Sequence, residues 1–153
     1  MFIVLENPLN ESALTFPILE CIHIVGFSLS IGTIALVDFR LLDIGMRHQT
    51  PAQLLKTTSL WTLVGLVIMI FSGLLLFSAD PDMYYLNKAF LAKMTFLLAA
   101  IVFNYTIHRN VARSADGPAP AAGKLVACVS LALWASVIFG GIFIAFVNPG
   151  LDL

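Results

Sequence analysis

Four long apolar stretches constrain the fold of this chain more than any other feature. They cover residues of about 16–38, 60–78, 84–108 and 124–147. The hydrocarbon core of a bilayer is about 30 Å thick, and roughly 20 apolar residues in a helix cross it. Because every backbone N–H and C=O inside lipid must be hydrogen-bonded within its own segment, each stretch is predicted to be a helix. The sequence therefore predicts an all-α, polytopic membrane protein.

The composition fits this class and excludes others. Of the 153 residues, 59% are hydrophobic and only 11% are charged, with a mean hydropathy of +0.96. A soluble domain carries about 25% charged residues. Short connections favour antiparallel neighbours, so we expect one domain, residues 1–153, folded as an up-down four-helix bundle. No basic run is interleaved with aromatic residues, and we therefore expect no nucleic-acid partner.

The basic residues predict the orientation of the bundle in the membrane. They lie mainly in two connections: Arg40, Arg47 and Lys56 between the first and second spans, and Arg109, Arg113 and Lys124 between the third and fourth. Lysine and arginine accumulate in cytoplasmic loops. We therefore predict that the two basic connections face the cytoplasm and that the central loop and both termini lie on the opposite side of the membrane.

A few polar residues within the spans are candidates for chemistry. Glu20 and His23 are one helical turn apart on the first span, and Gly26 and Ser30 follow on the same face. Lys93 on the third span is expected at a depth similar to that of His23, on the order of 10 Å below the outer surface. Ionisable groups at such depths are costly unless paired or hydrated, which makes them functional candidates. Small residues on the same face would let a second backbone or a flat cofactor approach.

These residues suggest a haem site in the outer half of the bundle. Imidazole is a common axial ligand of haem iron, and His23 is the candidate metal ligand. Lys93 or Lys88 could pair with haem propionates, and Glu20 could orient the imidazole. Since there is no CxxCH motif, the haem would be of the b type. His108 lies at the opposite depth, and its position beside Arg109 indicates a cation at the cytoplasmic interface.

Two other functions remain open at this point. The protein could be a non-catalytic accessory subunit of a larger membrane complex or a homo-oligomer, with its polar stripe serving helix packing. It could also be a permeation module for copper or a small solute, with Glu20, His23 and Lys93 lining the path. The sequence contains no HExxH, no glycine-rich phosphate loop and no recognisable Ser/His/Asp set. No catalytic residue is therefore predicted.

Three segments carry a resemblance to known families. They are His23 with Asp38-Phe-Arg40-Leu-Leu, then Ser72-Gly-Leu-Leu-Leu-Phe77, then Asn87-Lys-Ala-Phe-Leu-Ala-Lys93 with Asn104. Over nearly the whole chain this pattern resembles a family of small, uncharacterised bacterial four-helix membrane proteins. It is more distantly similar to HemJ-type protoporphyrinogen oxidase and to the membrane domain of copper-resistance protein D. The resemblance to the HemJ type implies a haem b held through His23 and a functional lysine at Lys93.

Overall fold

The computed structural model describes residues 13–79 and 81–147, apart from the side chains of residues 82 and 83. Within these residues the chain is helical, without strands. The helices are α1 (Thr15–Leu41), α2 (Pro51–Ala79), the short α3 (Pro81–Tyr85), α4 (Lys88–Arg113) and α5 (Ala121–Phe143). All except α3 are long and apolar enough to cross a membrane. The predicted all-α membrane bundle with four spans is confirmed, whereas both chain termini lie outside the described residues.

Helix α2 begins well before the apolar stretch that predicted it. The first helical residue is Pro51 rather than a residue near position 60. Thr50 and Gln53 form a capping box, in which the backbone N–H of Thr50 donates to Gln53 Oε1 at 3.0 Å and that of Gln53 donates to Thr50 Oγ1 at 3.2 Å. Proline suits the first helical turn because its missing N–H would have no partner there. These local signals extend α2 beyond the lipid-facing segment.

Helix α4 begins after Asn87, whereas the apolar stretch that predicted this span begins at about residue 84. Pro81 opens only α3, and residue 80 lies outside the described part of the chain. The Asn87 side chain accepts hydrogen bonds from the backbone N–H groups of Ala89 at 2.9 Å and Phe90 at 3.3 Å. Its amide donates to the carbonyls of Ile144 at 3.0 Å and Val147 at 2.8 Å. One buried side chain thus caps the start of α4 and binds the end of α5.

Helices α1 and α2 pack backbone against backbone. A Cβ atom at Gly65 would lie 2.6 Å from the backbone nitrogen of Ser30 and 2.7 Å from the carbonyl oxygen of Gly26. Small residues allow this approach, and close van der Waals packing is a main source of helix association in lipid. Helix α5 packs against α4 and α1, whereas α2 meets the third span mainly near its two ends, through α3 and through Arg109–Arg113. Helix α2 and the middle of α4 therefore make few contacts with each other.

The buried apolar residues form two groups, one at mid-depth and one at the end with the basic connections. Trp134, Val137, Ile34 and Ala100 pack together at mid-depth. The second group joins residues of all four spans to the 114–120 connection, and it comprises Val37, Leu41, Leu54, Leu55, Ala112, Ala115, Ala119 and Ala127. Large apolar residues on the outward faces are exposed and contact the lipid bilayer.

The first basic connection is tied to the start of α5. Lys124 Nζ lies 2.9 Å from Asp43 Oδ2, and the Arg40 guanidinium lies 3.2 Å from Asp43 Oδ1. The hydrogen bond from Lys124 and the charge of both cations hold the pKa of Asp43 below its ordinary value. Arg40 and Lys124 thus share Asp43 as their ion-pair partner.

Candidate functional site

The imidazole of His23 has a defined partner on the neighbouring helix. His23 is half-buried on α1, and its Nδ1 lies 3.0 Å from Ser72 Oγ on α2. The Ser72 hydroxyl also lies 2.6 Å from the carbonyl oxygen of Ile68, which can only accept a hydrogen bond. Because a hydroxyl has a single hydrogen, Ser72 donates to Ile68 and accepts from the Nδ1–H of His23. This tautomer leaves the lone pair of the imidazole on Nε2.

The His23 ring lies against a part of α2 that has no side chain. A Cβ atom at Gly73 would be 3.1 Å from Cε1 and 3.5 Å from Nδ1 of the ring. The 3.1 Å distance to Cε1 is shorter than an ordinary contact between two carbon atoms. Glycine at position 73 therefore leaves the room that the imidazole uses.

Lys93 lies on α4 in the same region of the bundle. Lys93 approaches Gly140 of α5 closely. A Cβ atom built on Gly140 would lie 3.0 Å from Lys93 Cβ and 3.1 Å from Lys93 Cα. Lys93 Nζ would be 3.6 Å from a Cβ atom at Gly141, so the side chain runs along α5. Lys93 is half-buried and near enough to His23 for an electrostatic interaction. The structure thus places these two predicted site residues in the same region of the bundle, on the third and first spans.

The other two predicted site residues lie at the periphery. Glu20 is exposed on α1, and Lys88 is exposed as the first residue of α4. Ser72, and not Glu20, provides the hydrogen bond to Nδ1 of His23. The role of Ser72 was not predicted from the sequence. A signal for it was present, because Ser72 is a polar residue next to Gly73 inside an apolar span. The roles predicted for Glu20 and Lys88 at a haem stay predictions.

A second polar cluster lies at the other end of the bundle. His108 Nε2 on α4 lies 2.7 Å from Asp38 Oδ1 on α1, and Ser130 Oγ on α5 donates to Asp38 Oδ2 at 2.7 Å. All three residues are at most 1% exposed. The interpretation of His108 as a side chain at the cytoplasmic interface is therefore wrong, because the imidazole is buried between helices and lies against a carboxylate. Asp38 follows His23 by fifteen residues, about 22 Å along α1.

The order of contacts in this cluster differs from that of a nucleophilic triad. In such a triad the histidine stands between the serine and the aspartate and removes the hydroxyl proton. Here Asp38 stands in the middle and accepts from both His108 and Ser130. The arrangement holds three helices together and does not activate Ser130 as a nucleophile.

A π-helical turn positions His108 within α4. Residues Asn104–His108 form this turn, and both of its end residues are buried. Wide turns of this kind are rare and often occur at functional sites. Nδ1 of His108 is buried without a hydrogen-bond partner among the described residues. A cavity of about 10 Å³, about the size of one water molecule, is lined by His108, Asn104, Thr33, Thr62 and Ser59 among others.

Metal ligands of the usual kind do not cluster in the described residues. No three His, Cys, Asp or Glu side chains lie close enough there to hold a metal ion together.

Comparison with known proteins gives one match, which covers most of the chain. Residues 13–147, which include all four spans, match the family of unknown function DUF6644. The chain belongs to the DUF6644 family. This agrees with the predicted resemblance to an uncharacterised membrane protein family. No curated protein and no solved structure matched the chain. The similarity of this DUF6644 member to HemJ-type oxidase and to copper-resistance protein D has no support in these comparisons and stays a prediction.

Proposed function

We propose that this protein is a redox or electron-transfer module of the bacterial inner membrane that binds haem b through His23. The observation that carries the proposal is the hydrogen bond between His23 and Ser72. Metal-binding histidines nearly always donate their second ring N–H to a fixed acceptor, which sets the tautomer and the ring orientation. Ser72 fulfils this role, because its own hydrogen is directed to the carbonyl of Ile68.

The surroundings of His23 also suit a flat, anionic cofactor. Gly73 leaves room for the His23 ring, and Gly140 and Gly141 leave room for the Lys93 side chain, so small residues let both groups of the proposed site lie between the helices. Lys93 supplies a positive charge in this region, and a lysine can neutralise a propionate. Lys88 at the start of α4 is a second cation for this purpose, and Glu20 is the nearest carboxylate along α1.

Each residue then has a distinct task in the proposed site. A bound haem would supply one-electron chemistry. His23 would donate the Nε2 lone pair, Ser72 would hold the ring in one tautomer, and Lys93 would balance negative charge in a medium of low dielectric. The lipid and the apolar side chains around them would keep water away from the site.

The spectrum of the purified protein tests the proposal. After expression with adequate haem supply, we expect a b-type reduced-minus-oxidised difference spectrum and about one haem per chain in a pyridine haemochrome assay. His23→Ala should abolish the signal, whereas His48→Ala should keep it, because His48 is exposed in the first basic connection. A folded but colourless wild-type protein would overturn the proposal.

A non-catalytic accessory subunit is the second candidate function. The observation that favours it is that the contacts of His23 and of the Asp38 cluster all join one helix to another. Such bonds stabilise a membrane bundle without any cofactor. This candidate predicts a colourless protein that co-purifies with partner chains and tolerates His23→Ala in a complementation assay.

We also infer that the basic end of the bundle faces the cytoplasm and that both termini are periplasmic. Lys56, Arg109, Arg113 and Lys124 lie at one end of the helices, which is the pattern of cytoplasmic loops. A reporter that is active only in the periplasm, fused after the last residue, should be active. The same reporter inserted into the 114–120 connection should be inactive, and the reverse result would overturn the orientation.

A further inference from the structure

A cavity opens between α2 and the last turns of α4 at the basic end of the bundle. Its volume is about 320 Å³. The lining side chains come from both helices, and they are Ala52, Leu55, Lys56 and Ser59 of α2 with Arg109 and Arg113 of α4. Ligand sites in proteins commonly have volumes of about 300–1,000 Å³. The cavity is thus large enough for a small anionic group.

The lining of this cavity is positively charged and contains no acidic side chain. Among the described residues, Lys56, Arg109 and Arg113 take part in no ion pair, since the observed pairs use Asp38 and Asp43 with other partners. Three such cations close together repel one another in a partly apolar setting. An anion in the cavity would relieve this repulsion.

Arg109 gives a second, independent indication of a ligand. Its Nε is buried and has no hydrogen-bond partner among the described residues. Its guanidinium carbon lies 5.0 Å from the centre of the Tyr105 ring, a contact that fixes the orientation of the group. A buried N–H without an acceptor is costly. Phosphate oxygens are acceptors that match the fork of donors on a guanidinium.

We propose that this cavity binds a phosphate group, with the headgroup of an anionic phospholipid or a free phosphate ester as the source. The site lies where α2 extends beyond its apolar segment and α4 ends, which is the depth of lipid headgroups. Basic pockets between spans on the cytoplasmic side are typical headgroup sites. The inference is independent of the haem proposal, because Arg109 lies next to His108 and at the opposite end of the bundle from His23.

Binding to defined lipids tests this inference. The full-length protein in mild detergent is titrated with phosphatidylglycerol, phosphatidylcholine or inorganic phosphate, and bound species are counted by native mass spectrometry. We expect phosphatidylglycerol to bind more tightly than phosphatidylcholine, whose choline neutralises the phosphate. Arg113→Gln should weaken the binding of phosphatidylglycerol ~5-fold, because each cation contributes about 1 kcal/mol to the attraction. The double variant Lys56→Gln, Arg113→Gln should weaken it by more than ~10-fold.

Arg47→Gln is the matched control, because Arg47 is exposed at the same end and does not line the cavity. It should leave the affinity for phosphatidylglycerol unchanged. Displacement of the lipid by inorganic phosphate would support a site open to soluble phosphates, and binding of the lipid alone would support a headgroup site. Equal losses in Arg47→Gln and Arg113→Gln, or equal affinity for both lipids, would overturn the inference. Circular dichroism of each variant verifies that it is folded.

Discussion

Asp38 Oδ1 lies 2.7 Å from His108 Nε2, and this bond joins α1 to α4 through two side chains that are almost completely inaccessible. Ser130 satisfies the second oxygen of the same carboxylate from α5. A buried ionisable pair of this kind need not stabilise a fold relative to apolar residues, but the loss of one member leaves the other uncompensated. The contact therefore fixes how three helices are rotated relative to one another.

Removal of His108 should strongly destabilise the bundle. We expect His108→Ala to lower the free energy of unfolding by about 3–5 kcal/mol, because Asp38 would remain buried without its partner. Ser130→Ala should cost about 1.5–3 kcal/mol, the range for a hydrogen bond to a charged group. Denaturation by sodium dodecyl sulfate in mixed micelles measures both. Ser136→Ala is the control, since its hydroxyl only bonds to Ala132 of its own helix, and an equally large effect there would contradict this account.

Gly65→Ala should disrupt the contact between α1 and α2. The new methyl group would lie 2.6 Å from a backbone nitrogen of Ser30, so the helices would have to separate. Overpacking of this kind typically costs about 1–3 kcal/mol. Gly32→Ala is the matched control, because nothing lies within 4 Å of a Cβ atom there, and alanine should stabilise the helix slightly. The same unfolding assay should give opposite signs for the two variants, and equal signs would refute the close approach.

Asn87→Ala should loosen the start of α4 and the end of α5 together. The loss of an N-cap alone costs about 0.5–2 kcal/mol, and two donor bonds to Ile144 and Val147 disappear with it. We therefore expect a cost above that range and faster hydrogen exchange at the C-terminal turn of α5. Asn110→Ala removes an exposed asparagine bonded only to its own helix, and it should change neither quantity. Exchange confined to α4 in Asn87→Ala would show that the link to α5 is not formed.

Acid should weaken the connection between α1 and α5. The folded pKa of Asp43 lies below its ordinary value because Lys124 donates to it. Its contribution to stability is complete above the ordinary value of about 3.9 and is lost as the pH falls through the lower folded pKa. Wild-type stability should therefore fall on acidification below about pH 4. Asp43→Asn should show a smaller fall over this interval, and identical pH profiles of the two proteins would exclude the contribution of Asp43.

Ser72→Ala should weaken the proposed haem site without removing the ligand. Loss of the hydrogen-bond partner of a metal-binding histidine typically lowers metal affinity by about 10–100-fold. We expect lower haem retention and a shifted reduction potential, measured by spectroelectrochemistry. Ser136→Ala should leave both at the wild-type values. Unchanged retention and potential in Ser72→Ala would show that the hydrogen bond to His23 serves helix packing alone.

The spans could be predicted from the sequence, whereas the helix ends could not. Lipid forces long apolar stretches to be helical, so their number and approximate positions follow from composition. The ends lie in water, where capping decides them. The start of α2 is set by Thr50 with Gln53, and the start of α4 by Asn87. A hydropathy profile does not report such hydrogen bonds.

The polar sites were only partly predictable for a related reason. His23 and Lys93 could be assigned similar depths, because helical rise converts residue number into depth. Rotation about the helix axis is harder, since helices that are apolar on every side carry no signal for the inward face. Asp38 and His108 lie near the ends of the first and third spans on the same side of the bundle, and equal depth alone could have suggested the pair. Ser130 joins this pair because α5 is rotated so that Ser130 faces Asp38. The sequence carries no indication of that rotation.

The wide turn at Asn104–His108 makes the length of α4 a determinant of its neighbours. An added residue in a helix turns everything after it by about 100°. The turn ending at His108 contacts α5, and the residues Arg109–Arg113 that follow contact α2. Deletion of one residue within this turn would hardly change the apolar character of the span, yet it would direct the two arginines toward a different side. Insertions and deletions here, more than substitutions, would therefore change how the helices pack at the end of the bundle that carries the basic connections.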